Sequence, residues 1–171
     1  MKLVILNGST CSGKSATLKI IMKQKDNFFW LSYDALKWSF SNYKSETHYQ
    51  DVQKVLQTVA STVFDMKYNV ITDSVLYGSS REELINLANQ AGYEILEVNL
   101  ETDFEVLSKR FDERVASALV NPNSRISNLS KDRFKELFDI FQREKNPEAI
   151  TFRTDVLSAE EVASNVMKLL A

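Results

Sequence analysis

The sequence predicts an α/β fold in which a parallel β-sheet is covered by helices on both faces. Two observations carry this. Short apolar runs alternate with longer segments of helical periodicity along the whole chain. A run of the form G-x-x-x-x-G-K-S, from Gly8 to Ser15, stands between the first apolar run and the first helical segment, where a strand-to-helix turn belongs. Continuous apolar runs, rather than alternating ones, mark strands buried on both faces, the usual condition of a parallel sheet.

Each element follows from its residues. Lys2–Leu6 is the first strand, ended by Asn7-Gly8. Lys14–Lys25 is the first helix, with Leu18, Ile21 and Met22 at helical spacing. Phe28–Leu31 is the second strand, and Ser32–Tyr43 is expected to be helical, opening near Asp34. Glu46–Lys67 carries the clearest stripe. Tyr49, Val52, Leu56, Val59 and Val63 recur at three- and four-residue steps, which assigns them to one buried face. Asn69–Thr72 is the third strand, ending at Asp73. Ser80–Gln90 is helical and stops before Gly92, a usual place for glycine after a helix. Glu94–Leu100 is the fourth strand, Asp103–Ala118 a helix and Asn121–Ser130 a polar, proline-containing loop. Lys131–Arg143 is helical, and Ala149–Arg153 is the fifth strand. Ser158 and Glu161 form a capping box for a last helix reaching Leu170. No repeat or linker interrupts the pattern, so residues 1–171 read as a single domain.

Composition narrows the function. The chain is 44% apolar and 26% charged, ordinary for a globular protein and unlike disordered, collagen-like or coiled-coil chains. One cysteine, Cys11, and one histidine, His48, exclude a disulfide framework, a Cys-rich zinc site and a Ser-His-Asp triad. His48 stands in a polar stretch and reads as a surface or capping residue. The apolar start at Leu3–Leu6 is too short for a signal peptide or a membrane span, so a cytoplasmic protein without a membrane partner is expected. The net charge of −2 gives no general attraction to nucleic acid. Residues 1–25 hold five lysines and no acid, and residues 108–135 hold seven basic and three acidic groups. Two basic segments could converge on an anion, or be ordinary solvated surface.

The glycine-rich run gives the anion a place. Gly8 and Gly13 let the backbone curl so that loop amides and the following helix N-terminus cradle phosphate oxygens. Residues Gly8, Ser9, Thr10, Cys11, Ser12, Gly13, Lys14, Ser15 and Ala16 are therefore the expected ATP-binding set. Lys14 would reach the β- and γ-phosphates, and the Ser15 hydroxyl would bind Mg²⁺. Cys11 reads as a small filler of the loop. An Asn-Lys-x-Asp guanine motif is absent, as is Asp-x-x-Gly after the third strand, where Ser74-Val75-Leu76-Tyr77 follows Asp73. GTPase switches are disfavoured and a phosphoryl-transfer enzyme is the best remaining class.

Val4-Ile5-Leu6-Asn7-Gly8-Ser9 through Gly13-Lys14-Ser15 resembles the opening of chloramphenicol phosphotransferase-like kinases, which belong with zeta-toxin-like and polynucleotide-kinase-like P-loop kinases. Three landmarks match in order: Asp34 in Ser32–Leu36, Asp73 in Val70–Val75, and the arginine-bearing Leu107–Val115. The resemblance implies a three-layer P-loop NTPase fold with five strands in the order 2-3-1-4-5. It also implies a helical lid near residues 110–133 and ATP-dependent phosphorylation of a hydroxyl.

The residues also make chemical sense alone. Asp34, at the end of a strand, could orient an acceptor hydroxyl and take its proton, or cap the next helix. Asp73 could hold a Mg²⁺-bound water, touch the substrate hydroxyl, or serve a turn. Arg110 and Arg114, four apart, share a helical face and could close over the transferred phosphoryl group, or pair with Asp112 and Glu113 in solvent. Arg125 in the polar loop is a third candidate; Ala116–Ser130 is longer than the family pattern. The acceptor side, residues 34–67, has no arginine. Arginine's planar fork is the usual grip on an acceptor phosphate. Its absence argues for a small-molecule hydroxyl, an antibiotic or a nucleotide-sugar-like compound, over a nucleotide or polynucleotide 5′-end. A non-catalytic nucleotide-binding module is the rival from another class. Trp38, one turn after Asp34, is the aromatic expected to wall the acceptor site.

Overall fold

In a computed structural model of the chain, which describes residues 1–120 and 129–170, five strands form one parallel sheet in the order β2-β3-β1-β4-β5. This is the expected order. The strands are β1 (Lys2–Asn7), β2 (Phe28–Leu31), β3 (Asn69–Thr72), β4 (Glu94–Glu101) and β5 (Ile150–Arg153). The helices among the described residues are α1 (Lys14–Gln24), α2 (Tyr33–Lys37), α3 (Ser45–Asp65), α4 (Gly78–Gln90), α5 (Phe104–Leu119), α6 (Lys131–Glu144) and α7 (Ala159–Leu169). None of them is long and apolar enough to cross a membrane.

β1 is central, paired with β3 on one side and β4 on the other. Leu3, Val4, Ile5 and Leu6 are all fully buried because both faces of this strand are covered. Side chains alternate across a strand, so the core divides in two. Leu3 and Ile5 pack with Leu56, Val63 and Phe64 of α3 and Leu84 and Ala88 of α4. Val4 and Leu6 pack with Leu18 and Ile21 of α1 and Val162, Ala163 and Val166 of α7. Burying one such side chain is worth about 1.5–3 kcal/mol. The capping box at Ser158 and Glu161 is present and starts α7. His48 serves as a cap, its Nδ1 accepting from the Lys44 amide just before α3.

A third cluster joins α5 to α6: Leu107, Phe111 and Phe134 are buried, with Phe104 and Phe138 against them. The Phe111 and Phe134 rings stack at 4.5 Å. Cys11, from the glycine-rich loop, packs on the same cluster, so the loop and the two helices share one apolar contact.

Two local expectations are corrected. The helix expected over residues 32–43 ends at Lys37, and turns fill the gap to α3. Its cap is Ser32, whose side chain accepts from the Ala35 amide, and not Asp34. Tyr49 leaves the buried stripe of α3 and is 45% exposed. It lies at the N-terminal end of the 21-residue α3, where it lines an open cavity beside Tyr33. Arg125 lies outside the described residues.

Candidate active site

A cavity of about 680 Å³ opens where β1, β2 and β3 end, the place ligands occupy in open α/β sheets. The segments that follow these strands line it: Thr10–Ala16 after β1, Ser32–Asp34 after β2, and Asp73–Val75 after β3. α5 adds Arg110 and Arg114, α6 adds Arg133, Leu137 and Ile140, and α3 adds Tyr49 and Gln53.

Both glycines of the loop are required by its shape. A Cβ on Gly8 would collide with the Ser12 hydroxyl and sit 2.8 Å from the Leu100 carbonyl. Gly13 holds φ at 95°, a left-handed conformation that other residues adopt at a cost, and it caps α1. Lys14 leads α1 and is 9% exposed. Its Nζ donates to the Gly8 carbonyl at 2.6 Å and the Ser9 carbonyl at 2.8 Å. Burial lowers its pKa to about 8, with Asp73 and Asp34 opposing the shift and Arg114 adding to it. Asp34, Asp73 and Arg114 line the same cavity as Lys14.

Ser15 donates from Oγ to Asp73 Oδ2 at 2.7 Å. The other carboxylate oxygen, Oδ1, accepts from the indole N–H of Trp30 at 2.9 Å. Ser15 and Asp73 present the hard oxygens that suit Mg²⁺. No group of three His, Cys, Asp or Glu side chains stands ready for a metal among the described residues. A cation there would complete its shell with water and phosphate oxygens, as Mg²⁺ commonly does.

Asp34 lines the cavity with its carboxylate largely exposed, and Lys37 pairs with it at 2.6 Å. Trp38 does not line the cavity. Its ring lies under the Lys37 ammonium at 5.1 Å, 42% exposed, because Lys37 reaches back between Trp38 and Asp34. The aromatic wall comes from Tyr33, Tyr49 and Tyr77 instead. The Tyr33 and Tyr49 rings are 5.7 Å apart, and the Tyr33 hydroxyl bonds that of Tyr43 at 2.9 Å. Burial holds the Tyr33 phenol well above the usual range and pushes Tyr77 up to about 12, so both stay neutral. Gln53, 7% exposed, donates to the Tyr49 hydroxyl at 3.2 Å, and its Oε1 has no partner among the described residues.

The two lid arginines separate. Arg110 donates to the Cys11 carbonyl at 3.4 Å and to the Thr154 carbonyl at 2.5 Å, tying α5 to the loop and to the segment after β5. Arg114 also lines the cavity, and its charge helps to lower the Lys14 pKa. Arg133, paired with Glu136 at 2.6 Å, is a cleft residue that sequence reasoning missed. Arg133, Leu137 and Ile140 are spaced by four and three along α6, a face legible only once the helix's neighbour is known.

One side of the cleft is built to grip phosphate through backbone amides and cations, and the other is an uncharged wall beside a single carboxylate. Those halves, on this strand order, are the plan of a P-loop kinase. The Zeta toxin family model matches residues 2–161, and the chain belongs to that family. No protein with a curated description matches the sequence. Three solved structures show the same fold at low identity. A protein from Chloroflexus aurantiacus assigned as a kinase is 17% identical with a TM-score of 0.73, over 99% of this chain and 95% of its own. The APS kinase of Mycobacterium tuberculosis, solved with AMPPNP and APS, is 20% identical with a TM-score of 0.64, over 99% and 96%. The tunicamycin resistance protein of Deinococcus radiodurans is 14% identical with a TM-score of 0.61, over 99% and 95%.

Proposed function

We propose that the protein is an ATP-dependent phosphotransferase that moves the γ-phosphoryl group onto a hydroxyl of a small molecule, an antibiotic or a nucleotide-sugar-like compound among the candidates. The observation that carries this is the division of one cavity. Its cations, Lys14, Arg110, Arg114 and Arg133, come from the glycine-rich loop, α5 and α6, while the lining from residues 32–77 carries only Asp34 and Asp73 as charges. A phosphorylated acceptor would face carboxylates and phenols there, which disfavours a nucleotide or a polynucleotide end.

The loop amides from Gly8 to Ala16 and the N-terminus of α1 would hold the triphosphate. Lys14 would exchange its two carbonyl partners for phosphate oxygens. Ser15 would hold Mg²⁺, with Asp73 directly or through water, and the bound cation would supply charge neutralisation on the phosphates. Asp34 would accept a hydrogen bond from the acceptor hydroxyl and align it with the γ-phosphorus. A new oxygen–phosphorus bond forms as the bond to the β-bridging oxygen breaks, ADP leaves, and the hydroxyl proton passes to the Asp34 carboxylate. Because the transition state is loose, positioning and charge matter more than base strength. Lys37 is no obstacle, since an ion pair on an exposed carboxylate is worth at most about 1 kcal/mol. Arg114 would neutralise charge on the moving phosphoryl group, whereas Arg110, bonded to the Cys11 and Thr154 carbonyls, would serve the nucleotide side.

The test is a thermal-shift screen in the presence of Mg²⁺ and a non-hydrolysable ATP analogue. The panel holds antibiotics, nucleosides, sugars, nucleotide sugars and short oligonucleotides, and hits are followed by turnover with ATP. Saturation at about 100 times the dissociation constant adds about 2.7 kcal/mol, a shift of several degrees. A shift and phosphorylation with one hydroxylated small-molecule class supports the reading. A shift with oligonucleotides alone, lost in salt, replaces it with a 5′-end kinase.

A further inference from the structure

Trp30 is the unexpected member of the nucleotide side. It lies on β2, the edge strand, in register with Ile71 of β3, and its side chain is outside the cavity lining. Phe28 and Trp30 share the face of the sheet that carries α1, while Phe29 and Leu31 share the other. That face brings the indole N–H to Asp73 Oδ1 at 2.9 Å, while Ser15 holds Oδ2 at 2.7 Å. An aspartate's terminal torsion is broad, so one partner on one oxygen leaves the carboxylate free to rock. Two donors on separate oxygens fix its plane. The indole is a donor only and carries no charge, so it directs the carboxylate without cancelling the negative charge a cation needs.

We propose that Trp30 is a positioning residue, which holds Asp73 through Oδ1 so that Oδ2 faces the Ser15 hydroxyl where a divalent cation would bind. This rests on the reading of Ser15 and Asp73 as the Mg²⁺ side of the cleft. Outer-shell partners of this kind commonly change metal affinity by about 10–100-fold when removed.

The experiment is calorimetric binding of AMPPNP to the whole chain, once in EDTA and once in saturating Mg²⁺, at pH 8. The ratio of the two dissociation constants is the coupling between nucleotide and metal. Trp30→Phe removes the donor and is expected to cut that ratio about tenfold, with the EDTA value within twofold of wild type. Trp30→His keeps an N–H at the same place in a five-membered ring, is neutral at this pH, and is expected to restore the ratio. Should Trp30→Phe fail to fold, Trp30→Met is the second variant without a donor. A merely structural role would weaken binding equally in EDTA and Mg²⁺, and would not distinguish histidine from phenylalanine. An unchanged ratio in the donor-less variants, or equal loss in Trp30→His, overturns the proposal. If Mg²⁺ does not tighten AMPPNP binding to wild type at all, the metal reading falls, and the role of Trp30 with it.

Discussion

Lys14 makes nucleotide affinity a function of pH, with a sign opposite to its effect on stability. Its pKa is lowered to about 8 by burial. A bound polyphosphate favours the charged form and would raise the pKa again, so binding draws a proton onto Lys14 wherever the free protein lacks it. The fraction charged in the free protein falls from about nine-tenths at pH 7 to about one-tenth at pH 9. The dissociation constant should therefore rise about tenfold between these values, or about 1.4 kcal/mol. Phosphate ionisation is already about nine-tenths complete at pH 7, since its second pKa is near 6, and it contributes little across this range. Stability runs the other way. Between pH 8 and about 10.5 the unfolded chain binds more protons at this site than the folded one, so Lys14 by itself makes the protein more stable as pH rises across that window. Titrating a fluorescent ATP analogue at pH 7.0, 8.0 and 9.0 measures the first effect, and Lys14→Met should bind more weakly with a flat profile. A dissociation constant that stays level from pH 7 to 9 in the wild type, or a slope that survives in Lys14→Met, would refute the reasoning.

Three further outcomes follow from the same geometry. Asp34→Asn should lower kcat about 100-fold or more while the ATP dissociation constant stays within twofold, because the carboxylate would act on the acceptor and only its field reaches Lys14; steady-state kinetics on the identified acceptor decides it. Arg114→Ala should lower kcat with little change in ATP binding, and Arg110→Ala should mainly weaken ATP binding by releasing Cys11 and Thr154. Equal effects of the two on both constants would remove the distinction. Gly8→Ala should cost roughly 1–3 kcal/mol, read as a lower melting temperature, because the Leu100 carbonyl 2.8 Å from the new Cβ is backbone and cannot swing aside; an unchanged melt would mean the loop relaxes freely.

The acceptor wall shows where local reasoning stops. Tyr49 has the spacing of a core residue, and nothing in the helix itself says that it faces an open cavity. Trp38 has the spacing of a site residue, four after Asp34, yet it lies outside the cavity lining, half-exposed beside the Lys37 ammonium that pairs with Asp34. A helical period names a face of the helix. What that face meets depends on where other segments stand.

The sheet was legible along the chain, because apolar runs such as Leu3–Leu6 have no stable place except between two covered faces. So was the phosphate loop, because Gly8 and Gly13 answer local demands: one close approach and one positive φ. Asp34 and Asp73 were legible for a related reason, as carboxylates at strand ends in a fold that places its site there. Three features appear only in the folded chain: Trp30 donates to Asp73 across 43 residues, Arg133 of α6 joins the cleft, and Arg110 bonds the Cys11 and Thr154 carbonyls. These are contacts between elements distant in sequence, set by how strands pair and helices cross, and no spacing along the chain records that.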